Sequence, residues 1–229
     1  MRTPSFVMIA TVVLGWCASA ASAVDPKPND ATLGLKPPAD ARVLFDGEGL
    51  RGWVKADGKN PADWPVEDGI LTVGRGSIET EKTFGDFQLH VEFNVPYMPK
   101  AKGQARGNSG VYLAGTYEIQ VLDSYHLPPK DNECGAIYSQ VAPSVNACKP
   151  PLQWQSYDVV FRKARVEDGK VVKKARVTVV QNGIKIIEDA EVSPTPFGDG
   201  TKEGEDGPIL LQDHGNPVQY RNIWIKLLD

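Results

Sequence analysis

Beyond residue 41 no stretch of this chain sustains the 3.6-residue apolar spacing of an amphipathic helix, and that absence limits the fold more than any other feature. Short alternating or apolar runs follow one another instead, at 43–45, 70–73, 87–95, 109–114, 117–122, 157–162, 176–181, 184–187, 209–212 and 218–228. Turn signals such as Glu67-Asp68-Gly69 and Gln181-Asn182-Gly183 separate them. Asp-Gly and Asn-Gly supply the positive φ angles that tight hairpins demand, so the pattern predicts an all-β protein, an antiparallel sandwich or barrel. Runs 109–114 and 117–122 are joined through Gly115-Thr116, which predicts a tight hairpin.

The two-residue period of a strand also predicts which side chains leave the core. In the second run Tyr117, Ile119 and Val121 share one face, and Glu118, Gln120 and Leu122 share the other. A core needs the first set and has no use for Glu118. From Phe87 to Asn94 apolar and polar residues alternate without exception. His90 and Glu92 then face either plain solvent or the same groove as Glu118 and Gln120.

The first residues have a different character. Arg2 precedes an apolar run at 6–16, and small residues end at Ala21-Ser22-Ala23. This predicts a secretory signal peptide over 1–23, cut after Ala23, and a periplasmic or extracellular protein. Cys17 follows the bulky Trp16, a poor fit to a lipoprotein cleavage site. The apolar run is short for a membrane span, and no later stretch approaches the required length. Residues 24–40 are rich in Pro, Asp and Lys without apolar periodicity, which predicts a tether or a surface strap; the domain is expected over 41–229. One sandwich accommodates a mature chain of roughly 200 residues. The formal net charge of −4 argues against a nucleic-acid partner, which would want a basic face. Cys134 and Cys148 remain after cleavage, and in an oxidising compartment such a pair predicts a disulfide. A loop of ~15 residues makes it worth roughly 3 kcal/mol. The alternative, a two-cysteine metal site, lacks nearby histidines. No His/Cys/Asp/Glu cluster has reliable ligand spacing, so neither a metal nor another cofactor is expected; the alternative is a metal held by Asp213 and His214 with Glu118. Gly74 to Ser77 lacks the lysine and helix of a phosphate loop.

Five stretches carry a resemblance. They are Leu44-Phe45-Asp46-Gly47 with Gly52-Trp53, Trp64 with Val66-Glu67-Asp68-Gly69, Gly107-Asn108-Ser109-Gly110-Val111, the segment from Tyr117 through Glu118 and Gln120 to Asp123, and Leu211-Gln212-Asp213-His214-Gly215 followed by Arg221-Asn222-Ile223-Trp224. In this order they resemble the 3-keto-disaccharide hydrolase family across nearly the whole mature chain. The resemblance implies a concanavalin-like jelly-roll β-sandwich of two antiparallel sheets. It also implies activity on small glycosides or disaccharides whose sugar carries a ketone at carbon 3. The chain departs from the family's pattern at Cys148 and in the long basic loop 96–106.

The residues bear on the chemistry directly. Retaining glycosidases need two carboxyl groups about 5 Å apart. Jelly-roll glucanases place them in a Glu-x-Asp-x-x-Glu pattern; here Glu118-x-Gln120-x-x-Asp123 has an amide in the middle and a shorter last acid. A 3-keto sugar needs less, because the ketone acidifies the proton on carbon 2, and one general base can start an elimination. Glu118 and His214 are the catalytic candidates. The alternatives are a salt-bridged surface carboxylate for Glu118 and a turn-ordering role for His214. Asn108, Gln120 and Asp123 can bind sugar hydroxyls. Arg106 either closes over substrate or is solvated, and Arg221 meets a buried carboxylate or points into the site. Tyr112, Tyr138 and Trp154 can cover the apolar face of a sugar, whereas Trp53, Trp64 and Trp224 are expected in the core. His126 reads as surface. An ordinary glycoside hydrolase and a non-catalytic carbohydrate-binding module stand as the other readings.

Overall fold

The computed structural model describes residues 27–196 and 198–229; the predicted signal peptide lies outside them. Strands are numbered in chain order. One sheet of eight runs β13 (Ile184–Val192), β12 (Ala175–Gln181), β9 (Gln155–Arg162), β6 (Phe87–Asn94), β15 (Gln219–Leu227), β4 (Ile70–Thr72) and β3 (Val66–Glu67), with β1 (Arg42–Phe45) also pairing β15. A sheet of five runs β2 (Trp53–Lys55), β5 (Ile78–Thr80), β14 (Leu210–Leu211), β7 (Ser109–Leu113) and β8 (Tyr117–Val121). A separate ribbon pairs β10 (Arg165–Glu167) with β11 (Lys170–Lys173). The ladders are antiparallel, and the two main sheets form a jelly-roll sandwich. Helical structure among the described residues is the single 3₁₀ turn Gly103–Ala105.

The dipeptides expected to turn the chain do so. Asp68-Gly69 and Asn182-Gly183 each carry two positive φ angles and each join directly paired residues, Glu67 to Ile70 and Gln181 to Ile184. The hairpin after β7 differs from expectation. Leu113 pairs with Tyr117, so the loop has three residues, Ala114, Gly115 and Thr116, with φ of 46° and 67° at the first two. Gly115 donates its N–H to the Pro208 carbonyl, and Asp199 donates its own to Gly115. Contacts outside the hairpin therefore hold this loop in its shape. The short strands β2, β3, β5, β10 and β11 were not evident in the sequence, being two to four residues long.

Between the sheets, Phe87, Leu89, Val91 and Phe93 of β6 and Tyr157, Val159 and Phe161 of β9 meet Val111, Leu113, Tyr117, Ile119 and Val121 from β7 and β8. Trp53 and Trp64 belong to this core as expected, and their indole N–H groups donate to the carbonyls of Leu44 and Gly76. Trp224 does not. A register shift in β15 between Arg221 and Trp224, with Asn222 at φ 46°, turns Trp224 to the outer face, where it stacks on His90 at 5.2 Å.

That outer face of the eight-stranded sheet is covered by residues 27–40. Gly34 donates its N–H to Glu92, the Leu35 carbonyl accepts from Asn222 and Trp224, and the hydroxyls of Thr32 and Ser156 pair. Among the described residues no helix is long and apolar enough to cross a membrane.

The expected disulfide is absent. Cys134 and Cys148 are free, buried thiols, and the Gln181 amide donates toward both sulfurs at 3.5 Å. The Tyr157 hydroxyl gives its proton to the Gln120 carbonyl, so its oxygen accepts from the Cys134 thiol. The loop between the cysteines has other anchors. Its backbone bridges β8 at Ile137, exchanges hydrogen bonds with Gln120, and donates from Tyr138 to the Glu118 carbonyl. Backbone pairing performs the task assigned to a covalent link.

Candidate active site

The outer face of the five-stranded sheet carries the catalytic candidates. The register sets Glu79, Leu210, Tyr112 and Glu118 side by side across β5, β14, β7 and β8, and sets Gly110 beside Gln120. Because β8 spends its odd positions on the core, its even positions must project here. A pocket of about 270 Å³ opens over this row, lined by Gln104, Asn108, Glu118, Gln120, Tyr138, Gln212 and His214.

Glu118 sits at the pocket wall, 3 % exposed. Burial raises its carboxyl from 4.5 to about 7, although a hydrogen bond from the Tyr112 hydroxyl at 2.9 Å works the other way. Desolvation disfavours the charged form, and no cation offsets it. The carboxyl has room because position 110 is glycine. A Cβ there would lie 2.7 Å from Glu118 Oε1 and 3.1 Å from the Tyr112 ring.

The amides around Glu118 are oriented by a chain of fixed partners. Gln104 Nε2 donates to the Asn132 carbonyl, which can only accept, so Gln104 Oε1 faces the pocket side. That oxygen takes N–H groups from Asn108 at 3.1 Å and Gln120 at 2.7 Å. The Tyr112 hydroxyl, having given its proton to Glu118, accepts from Gln212 at 3.0 Å. Asn108 Oδ1, Gln120 Oε1 and Gln212 Oε1 are left buried without a partner. A buried acceptor left unpaired costs about 1–3 kcal/mol, and three in one pocket call for a ligand that donates.

His214 is exposed and lines the same pocket. Its turn is ordered by Asp213, whose carboxylate accepts from the N–H groups of Gly76 and Gly215. The imidazole is thus free of that duty. Tyr138, on the loop bridged to β8, supplies an aromatic wall and a hydroxyl. Gln120 shares the face of Glu118 as the alternation implied, and Asn108 lines the same pocket; Tyr112, expected to cover a sugar, is instead buried and hydrogen-bonded to Glu118.

Other sequence candidates lie elsewhere. His90, Glu92 and Arg221 belong to the outer face of the opposite sheet, so the groove shared with Glu118 is excluded and Arg221 takes its other alternative, a buried carboxylate. There Arg221 donates to Glu92 at 2.7 Å and lies 4.0 Å above the Trp154 ring, which removes both from the sugar site. His90 bridges Asp158 at 2.7 Å and Glu92 at 3.4 Å. Arg106 donates to the Asp123 carbonyl from two nitrogens and approaches its carboxylate at 3.3 Å, so the pair fastens the loop base and does not face the pocket. The reason is the same throughout: period two predicts a face of a strand but not which sheet that strand joins.

Two lining residues escaped the sequence reading. Gln212 could have been found, because alternation from Leu211 in the core places it beside Leu210 on the outer face. Gln104 carries no local signal, since it lies in the 3₁₀ turn of an irregular loop.

The comparisons agree with this architecture. A 3-keto-disaccharide hydrolase from Bacteroides thetaiotaomicron is 27% identical over 248 residues, covering 85% of this chain and 82% of that protein. A crystal structure of a candidate glycosyl hydrolase from Parabacteroides distasonis superposes with a TM-score of 0.78 at 36% identity, over 96% of this chain and 100% of the other. A second from the same organism, at 24% identity and a TM-score of 0.64 over 83% and 94% of the two chains, shares the fold. The profile of the 3-keto-alpha-glucoside-1,2-lyase-like domain matches residues 40–226, nearly the whole sandwich and every residue of the pocket, and the chain therefore belongs to that family.

Proposed function

We propose that this protein cleaves the glycosidic bond of small 3-keto-glycosides by elimination, outside the cytoplasm, to which the predicted signal peptide would deliver it. The observation that carries the reading is that Glu118 is the one carboxylate among the described residues lining the pocket. The nearest acid in its own row is Glu79, three strands away, or about 14 Å at ~4.8 Å per strand. Paired-carboxylate glycosidases need about 5–5.5 Å or 6.5–9.5 Å. A lone base suits a substrate that brings its own acidity.

Glu118 removes the carbon-2 proton, and its buried carboxyl, near 7, is matched to that task at neutral pH. The electron pair forms an enolate on the ketone oxygen. As the ketone reforms, the carbon-1 to oxygen bond breaks, and the departing oxygen takes a proton from an acid. His214 and the Tyr138 hydroxyl line the pocket and can donate, one to the enolate and one to the leaving group. Later addition of water across the enone puts hydroxyl on carbon 1 and hydrogen on carbon 2, so the sum is hydrolysis. The match to a 3-keto-disaccharide hydrolase supports the substrate class.

The test offers a methyl glucoside and its 3-keto counterpart, side by side, to purified protein. Only the keto form should be cleaved, and in heavy water deuterium should enter carbon 2. Equal cleavage of both would favour an ordinary glycosidase. Binding without cleavage of either would favour a carbohydrate-binding module.

A further inference from the structure

We propose that Gln104 is the specificity-determining residue of this pocket. By fixing two amides with their carbonyls inward, it makes the pocket a site for neutral, hydroxyl-rich sugars that turns away uronic acids. The inference rests on the reading of this pocket as the sugar site.

The polarity is set at a backbone carbonyl. The Asn132 oxygen accepts from Gln104 Nε2 and so decides which end of the Gln104 amide is which. Gln104 Oε1 then holds one N–H of Gln120 and one of Asn108, and the Gln104 backbone carbonyl takes an N–H of Asn108 as well, at 2.7 Å. Both N–H groups of Asn108 are thereby engaged and one of Gln120, while the side-chain oxygens of these two residues, each 1 % exposed, are left without partners. Gln212 Oε1 joins them through Tyr112. The rest of the lining is Glu118 and, as donors, the Tyr138 hydroxyl and His214, with no lysine or arginine. A hydroxyl can donate to each of these oxygens. A sugar carboxylate brings no donor and adds a negative charge opposite four acceptors. Neutral and acidic sugars of one shape are therefore distinguished by the polarity that Gln104 sets.

Glu118→Gln protein is the suitable background, because it cannot take the carbon-2 proton and its wall is uncharged. Any remaining discrimination then comes from the amides. Calorimetric titration with methyl glucoside and methyl glucuronide should show at least about tenfold tighter binding of the first. Adding Gln104→Leu should weaken glucoside about tenfold and leave glucuronide nearly unchanged, so the ratio collapses. Equal binding of the two sugars, no binding of either, or a ratio untouched by Gln104→Leu would overturn the proposal. So would glucoside binding that disappears on chelation, since the carbonyls would then face a cation. If the leucine variant fails to fold, the ratio in the single variant still decides. Selective binding together with an uncleaved 3-keto-glucoside would sink the elimination mechanism and leave this inference standing.

Discussion

Two glutamates project from the two outer faces of the sandwich and have opposite fates. Glu118 stands on the edge strand β8, paired to β7 through a short hairpin, and Glu92 on the central strand β6; both are almost completely buried. Burial pushes both carboxyls up. For Glu92, hydrogen bonds from His90, Asn222, the Gly34 N–H and Arg221 outweigh burial and hold it at about 2. For Glu118 only the Tyr112 hydroxyl helps, and burial wins at about 7. On the back face Glu92 is covered and both its oxygens are paired, whereas on the front face three amide oxygens around Glu118 are left without donors. Burial alone does not mark a functional carboxylate. A buried carboxylate whose partners are missing on the pocket side does.

The largest effect expected from this contrast is on turnover. Glu118→Gln should lower it by about 10²-fold or more, the scale of general base catalysis, and remove the rise of rate with pH centred near 7. Glu92→Gln should leave that rise in place. Stability should move the opposite way. A folded value raised from 4.5 to about 7 means that ionisation costs the native state stability as pH rises through this window, so Glu118→Gln should stabilise above pH 7 by up to roughly 3 kcal/mol and change little below 4.5. Glu92, lowered to about 2, contributes stability above 4.5 that is lost as pH falls through 2. Thermal unfolding of both variants at pH 4 and pH 9 compares the two signs directly. Like-signed shifts would break the contrast.

Next in size, Arg221→Met should destabilise the fold by roughly 2 kcal/mol while leaving turnover within about twofold. The guanidinium is 36% exposed, which reduces the loss below that of a fully buried pair. A large loss of turnover with normal stability would put Arg221 back in the chemistry. The smallest effect is expected for Gly110→Ala, whose methyl would press on Glu118 Oε1. Displacing the base should cost about tenfold in turnover, below the 10²-fold penalty of a full 1 Å misplacement. Its unfolding midpoint should fall by only a few degrees. Unchanged kinetics would show that the carboxyl need not rest over Gly110.

Local pattern was enough to establish the fold class and the split of β6 and of Tyr117–Val121 into inner and outer residues, although Leu122, expected beside Glu118, joins the core. Both rest on short-range rules, since period two and the φ preferences of Asp-Gly and Asn-Gly act over a few residues. That is why Glu118 and Gln120 could be grouped from the amino-acid sequence, and why alternation alone could have added Gln212. Long-range packing settled what lies opposite what. His90 and Glu92 alternate as cleanly as Glu118 and Gln120, yet β6 joined the other sheet and placed them under residues 27–40. A one-residue irregularity in β15 sent Trp224 and Arg221 to that back face. Gln104 reached the pocket from a loop with no period to read, and Cys134 and Cys148 met as thiols beside Gln181 without bonding. These outcomes depend on sheet membership, bulges and loop closure, which arise from contacts between residues distant in sequence and leave little trace in local pattern.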